Sequence, residues 1–113
     1  MTANQEGWTD VGALDEVREG RATRIDLEGQ PVLLYRSGDD LFAMGSRCTH
    51  QGAPLDRGVV RVAGNQRTVT CPAHGSMFSL DDGSVVRGPA SRPVPAFDVR
   101  VEEGLVQLRP RTP

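Results

Sequence analysis

Two cysteines and two histidines in this 113-residue sequence fall into two short, matched motifs. The first is Cys48-x-His50, and the second, after 20 intervening residues, is Cys71-x-x-His74. These four residues are the only Cys and His in the chain. A lone buried cysteine is ordinary in proteins, but the placement of all four residues in two motifs indicates one shared site.

Thiolates and imidazoles together could serve a tetrahedral zinc ion, a nucleophilic Cys–His pair or an iron–sulfur cluster of mixed ligation. Structural zinc sites usually group like ligands, whereas each motif here supplies one of each type. A nucleophilic site would leave the second motif without a role. Residues i and i+2 of an extended chain lie about 6–7 Å apart, which suits two neighbouring metals better than one. The spacing favours an iron–sulfur cluster, and a zinc-stabilised binding module remains an alternative.

Short apolar runs separated by turn residues must position these motifs, and they predict an all-β fold of small antiparallel hairpins. Four hairpins are predicted, with turns at residues 37–40, 64–65, 82–83 and 103–104. Residues 8–12 and 21–27 are further candidate strands, and Trp8 is expected to be buried at an edge. Residues 13–19 are expected to form a turn or two of helix at most. Residues 47–58 and 72–76 break the alternation, so both motifs are predicted on loops that follow strands.

Length and charge limit the other possibilities. The chain predicts a single domain, residues 1–113, with residues 109–113 expected to fray. All 13 basic residues are Arg and 15 residues are acidic, so the net charge of −2 shows no nucleic-acid footprint and does not decide the charge of a partner. No signal-peptide pattern and no apolar run of about 20 residues is present, which predicts a cytoplasmic protein without membrane contact.

Over nearly its whole length the sequence resembles the Rieske [2Fe–2S] family, and within it the small ferredoxins that serve bacterial ring-hydroxylating dioxygenases. The segments CTHQGAPLDRG and CPAHGSMFSLDDGSVVRGPASRPVP are similar to the family's cluster loops and proline-containing loop. The resemblance implies a Rieske fold with a cluster-binding region at about residues 46–93 and one [2Fe–2S] cluster per chain. It implies that Cys48 and Cys71 ligate the inner iron, and His50 and His74 the outer, more exposed iron.

The same resemblance gives expectations for residues around the cluster. Gly52 and Gly75 each follow a histidine where the family's loops turn tightly. Pro89 stands where a third loop shields the cluster.

Departures from the high-potential relatives also carry expectations. Ala53 and Ala73 occupy the positions of two extra cysteines that tie the loops together in those relatives. Phe78 replaces a Tyr, which removes one hydroxyl near the cluster, while Ser76 is retained as a possible donor. Because fewer donors to the sulfurs lower the reduction potential, a potential near the low end of the Rieske range, about −150 mV, is expected.

The implied function is one-electron transfer from a flavin-dependent reductase to a terminal oxygenase, without catalysis by this chain. A hydroxylating subunit needs a further iron held by two His and a carboxylate, and both histidines are already used. A monomer that docks transiently through the His50/His74 edge is expected, and the surrounding patch is predicted to contain Gln51, Pro54, Leu55, Pro89 and Arg47. The alternative is a Rieske-like small subunit of a nitrite reductase or another multisubunit redox enzyme.

Overall fold

Ten β-strands and two single-turn 3₁₀ helices make up the computed structural model, which describes residues 7–111. The strands are β1 (Thr9–Ala13), β2 (Ala22–Leu27), β3 (Gln30–Ser37), β4 (Asp40–Gly45), β5 (Val59–Ala63), β6 (Gln66–Thr70), β7 (Met77–Ser79), β8 (Val85–Arg87), β9 (Ala96–Glu102) and β10 (Leu105–Pro110). The 3₁₀ turns are Leu14–Glu16 and Leu55–Arg57. The all-β prediction is confirmed. Across the described range, no helix has the length and apolar character that crossing a membrane requires.

All four predicted hairpins are present as antiparallel pairs: β3 with β4, β5 with β6, β7 with β8, and β9 with β10. Their connections are residues 38–39, 64–65, 80–84 and 103–104. Each connection falls on, or includes, the turn residues that the sequence predicts, because glycine and acidic or amide side chains favour turns over strands.

The larger sheet has six strands in the order β1-β10-β9-β4-β3-β2. Its strand β3 is buried without interruption over residues 31–35, because both of its faces are covered. Val32 and Leu34 pack with apolar side chains of β9 and β10, whereas Leu33 and Tyr35 pack with the smaller sheet. Burial on both faces explains why this run is apolar at successive positions instead of alternating with polar residues.

The smaller sheet has four strands in the order β5-β6-β7-β8. Val69 of β6 and Phe78 of β7 are paired across the strands and are fully buried. They share one apolar cluster with Leu55, Cys48 and Cys71. The smaller sheet and the two motif-bearing loops therefore have a common core.

The N-terminal segment is more extended than the sequence suggests. Only Leu14–Glu16 of residues 13–19 turn helically, because Ala13 still pairs with Leu105 at the end of β1. As predicted, β1 is an edge strand and Trp8, just before it, is buried at 7% exposure. β2 forms the opposite edge of the same sheet.

The expectation of a frayed tail at residues 109–113 is wrong for its first three residues. Arg109 and Pro110 belong to β10, where they pair with Asp98 and Phe97. Arg111 donates to Asp98 at 3.1 Å and to the carbonyl of Asp81 at 2.9 Å, so ion pairs and cross-sheet contacts hold this segment. Residues 112 and 113 lie outside the described range.

Candidate cluster-binding site

Each of the two motif-bearing loops is closed by the same pattern of backbone hydrogen bonds, called its frame below. In the first loop, residues 47–58, the Cys48 N–H donates to the carbonyl of Ala53 at 2.9 Å and the Gly52 N–H donates back to the carbonyl of Cys48 at 2.7 Å. In the second loop, residues 72–76, the same offsets recur. The Cys71 N–H donates to the carbonyl of Ser76 at 2.7 Å, and the Gly75 N–H to that of Cys71 at 3.2 Å. The two loops are therefore closed in the same way, although the motifs differ in spacing by one residue.

Both frames depend on a glycine four residues after the cysteine. Gly52 and Gly75 have φ angles of 79° and 81°, in the left-handed region that other L residues rarely adopt. This confirms the prediction that the loops turn tightly at these two positions.

The four Cys and His side chains lie in two different environments. Cys48 and Cys71 are 3% and 4% exposed, carry free thiols and belong to the apolar core of the smaller sheet. His50 and His74 are exposed, and their ring centroids lie 5.2 Å apart at an interplanar angle of 86°. The fold thus brings the predicted residues together, with sulfur donors inside and nitrogen donors at the surface.

This donor set fits a group with two metals better than a single ion. Among residues 7–111, no three His, Cys, Asp or Glu side chains are arranged to hold one metal ion. A tetrahedral zinc site would need four ligands converging on one point. A two-iron cluster needs only two protein ligands at each iron, which the two buried thiols and the two neighbouring imidazoles can supply.

A segment after β8, residues 88–95, is attached to both loops and is called the strap below. Thr49 Oγ1 donates to the carbonyl of Arg92 at 2.6 Å, which ties the strap to the first loop. The Ala90 N–H donates to Ser76 Oγ at 3.0 Å, which ties it to the second loop. Pro89 is exposed within this segment, and its role in shielding a cluster stays a prediction. Donation from the Ser76 hydroxyl to a cluster stays a prediction.

Sequence reasoning missed several residues that fix the first loop. Ser46 Oγ donates to Asp56 Oδ1 at 2.5 Å and accepts the Asp56 N–H at 3.0 Å, so this pair closes the loop at its base. Gly58 follows, and a Cβ there would lie 2.1 Å from the carbonyl oxygen of Thr70. Thr49 was missed as well. The sequence shows each of these residues but not the partner that it contacts, because the partners lie 10 to 43 positions away along the chain.

The predicted surface patch needs one correction. Gln51, Pro89 and Arg47 are exposed and Pro54 is partly exposed, as expected for residues around the histidines. Leu55 is 0% exposed, so its assignment to the docking patch is wrong. It begins a 3₁₀ turn that directs its side chain into the core shared with both cysteines.

The positions that depart from the high-potential pattern lie in the two loops and in strand β7. Phe78 is fully buried in the same core as the cysteines, with no polar group on its ring. Ala53 is partly buried against that core, and Ala73 is exposed in the second loop. Cys48 and Cys71 are both free, so no disulfide joins the loops.

Known proteins are similar to this chain in sequence and fold. Residues 7–98 match the Rieske [2Fe-2S] domain. The anthranilate 1,2-dioxygenase ferredoxin subunit of Burkholderia cepacia is 31% identical over 101 residues, which cover 89% of this chain and 90% of that protein. A ferredoxin solved in complex with the oxygenase of carbazole 1,9a-dioxygenase is 33% identical, with a TM-score of 0.79 and 94% of each chain covered. A putative NADH-dependent nitrite reductase small subunit from Mycobacterium tuberculosis is 34% identical, with a TM-score of 0.80 and coverage of 94% and 96%.

Proposed function

Because this chain belongs to the Rieske [2Fe-2S] domain family, we propose that it is a one-electron carrier and that residues 1–113 form a single such domain. Cys48 and Cys71 hold one [2Fe–2S] cluster from the core side, and His50 and His74 hold it from the surface side. When bound, the cluster supplies a one-electron couple. The observation that carries the proposal is the juxtaposition of two buried thiols with two exposed imidazoles 5.2 Å apart.

The protein groups around this site have separable tasks. The apolar side chains packed with both cysteines, Phe78 among them, exclude water from the sulfur side. The paired loop frames and the strap fix the four ligands, so that little needs to reorganise when the charge changes. The exposed edges of the imidazoles give the shortest route for an electron between the site and a docked protein.

The chain is proposed to act as an electron-transfer component and to catalyse nothing by itself. Both histidines and both cysteines of the sequence are assigned to the cluster. None is left for the two-His, one-carboxylate iron site that hydroxylation requires. The named relative from Burkholderia cepacia is likewise a ferredoxin subunit and not the oxygenase.

Two protein partners follow from this role: a flavin-dependent reductase as electron donor and a terminal oxygenase as acceptor. A related ferredoxin forms a complex with an oxygenase, which supports the acceptor. Docking at the His50/His74 edge is expected to be transient, because a carrier must release one partner before it meets the next. The cytoplasmic location and the monomeric state remain predictions from the sequence.

A second candidate is a small subunit that stays bound to a nitrite reductase. Similarity to the putative Mycobacterium tuberculosis subunit, at 34% identity over nearly the whole chain, favours keeping it. Gel filtration of native extract separates the two functions. A carrier elutes at the size of this chain, whereas a permanent subunit elutes with its enzyme.

The decisive experiment is reconstitution with iron and sulfide followed by electron paramagnetic resonance of the dithionite-reduced protein. We expect two irons and two sulfides per chain and a signal typical of mixed nitrogen and sulfur ligation. His74→Ala should lose that signal, while Ser91→Ala, an exposed strap position, should keep it. A colourless protein with stoichiometric zinc, or a reduced protein without the signal, would contradict the proposal.

A further inference from the structure

The segments beside the His50/His74 edge carry positive charge, and Asp56, the one carboxylate of the first loop, accepts from Ser46 Oγ at the base of that loop. Residues 47–55, 71–76 and 87–95 contain three arginines, Arg47, Arg87 and Arg92, and no acidic residue. The rest of the chain contains the remaining ten arginines and all fifteen acidic residues, so its net charge is −5. We propose that this arginine face docks on an acidic surface patch of the redox protein that exchanges electrons with it, an inference that rests on the function proposed above.

Each of the three arginines is placed beside the site by a specific contact. Arg47 directly precedes Cys48, and its backbone bridges to Pro54 across the first loop. Arg87 Nη2 donates to the carbonyl of Gly75 at 3.1 Å, next to His74. The carbonyl of Arg92 accepts the hydroxyl of Thr49, next to His50. All three arginines are exposed.

The charges of this face are not neutralised within the described part of the chain. Elsewhere, five arginines lie 2.9–3.9 Å from a carboxylate: Arg24, Arg67, Arg100, Arg109 and Arg111. Over residues 7–111, no ion pair to Arg47, Arg87 or Arg92 is formed. Their charges are therefore available to a partner, and the negative charge elsewhere orients the molecule as it approaches.

The number of charges points to a protein partner. Lipid-binding basic clusters typically hold about 4–8 Lys or Arg, and a nucleic-acid footprint needs a basic stripe on a basic domain. Three arginines on a chain of net charge −2 match neither pattern. A compact acidic patch on a globular partner fits the size of the face. A patch of this size would not contact the acidic residues on the rest of this chain.

Two small oxidants of opposite charge test this face. The dithionite-reduced holoprotein passes one electron to ferricyanide, a trianion, or to tris(phenanthroline)cobalt(III), a trication. The holoprotein is oxidised by one electron, and the oxidant is reduced to ferrocyanide or to the cobalt(II) complex without loss of its ligands. If net charge governed the encounter, ferricyanide would be repelled and added salt would speed its reaction. The arginine face predicts the reverse: the ferricyanide rate falls as salt rises, because screening at 0.1 M acts beyond about 10 Å.

Charge reversal at the face sharpens the test. We expect Arg92→Glu and Arg47→Glu each to lower the ferricyanide rate at low salt by about three- to tenfold and to raise the cobalt rate, with the differences vanishing at high salt. Arg18→Glu is the matched control. Arg18 is exposed and follows the 3₁₀ turn Leu14–Glu16, in which the Leu14 N–H donates to the carbonyl of Gly104 at the opposite end of β9 from the strap. It should leave both rates within about twofold of the unmodified protein.

Several outcomes would overturn the proposal. A ferricyanide rate that rises with salt, or an Arg18→Glu effect equal to that of Arg92→Glu, would assign the encounter to net charge. If a substitution changed the rates with both oxidants in the same direction, the arginine would be acting on the midpoint potential and not on the encounter with the oxidant. If Arg47→Glu does not fold, Arg92→Gln should give a smaller change of the same sign. A preparation without colour before any rate is measured would instead contradict the proposed function itself.

Discussion

The two sheets of this protein differ in what completes their cores. The larger sheet buries only hydrocarbon side chains in its own cluster, with Val32, Leu34, Val106 and Leu108 fully buried. The core of the smaller sheet includes two cysteine thiols as well as Leu55, Val69 and Phe78. The core of the smaller sheet therefore depends on what its thiols bind, whereas the cluster of the larger sheet contains no such group.

The exposure of the edge strands in the smaller sheet supports the same difference in stability. In the smaller sheet, Val59 and Val62 of edge strand β5 are 63% and 42% exposed, and Val86 of edge strand β8 is 48% exposed. Little apolar surface is thus removed from water at either edge. Since buried apolar area is the main stabilising term, the cluster region has less reserve of its own than the six-stranded region.

Removal of iron should have the largest effect on stability, and it should destabilise the smaller sheet while leaving the larger sheet intact. We expect amides of β6 and β7 to lose most of their hydrogen-exchange protection, while those of β3 and β9 keep theirs. Native-state hydrogen exchange with and without bound iron measures both sets in one experiment. An equal loss of protection in both sheets would contradict the division.

Truncation of one fully buried leucine on each side gives the next largest effect. Leu108→Ala in the larger sheet and Leu55→Ala under the first loop should each cost about 2–5 kcal/mol, because each leaves a cavity. Urea unfolding measures this loss. Only Leu55→Ala should also lower the iron-to-protein ratio, since Leu55 packs with the cysteines. Equal iron loss in both variants would show that the two cores act as one.

The two ties of the strap should differ in strength. Ser76→Ala should cost about 1–3 kcal/mol, because the Ala90 N–H loses a fully buried acceptor. Thr49→Val removes a hydrogen bond at a partly exposed position and should cost about 0.5–1.5 kcal/mol. Urea unfolding of the iron-loaded variants provides both values, and Ser91→Ala serves as the unaffected control. A larger loss for Thr49→Val would mean that the first loop, not the second, anchors the strap.

The smallest effect concerns acid. The Ser84 N–H donates to Asp82 Oδ1 at 2.9 Å in the β7–β8 turn and lowers the pKa of Asp82 below its ordinary value of 3.8. A carboxyl with a lower pKa in the folded state stabilises the fold above its unfolded pKa, and this contribution disappears as the pH falls through the folded pKa. The unmodified protein should therefore exceed Asp82→Asn in stability at neutral pH and lose that advantage in acid. Urea titrations at both pH values check the sign, and an advantage that grows in acid would contradict it.

Much of the site was predictable because its signals are local. The two Cys–His motifs, the glycines at positions 52 and 75 and the turn residues of the four hairpins act over a few residues, through backbone conformation and side-chain chemistry. The run at residues 31–35 does not alternate, and it is apolar at successive positions for a reason that only the second sheet explains.

The sequence by itself determined which atoms can bind metal and which residues turn the chain. The tertiary structure alone decided that Leu55 is buried and that Arg109 and Pro110 extend a strand. It also decided that Thr49 holds Arg92, 43 positions away. Turn preferences arise from neighbouring residues, whereas burial, strand pairing and the collection of three arginines at one edge depend on contacts between distant segments. Those contacts exist only once both sheets have formed.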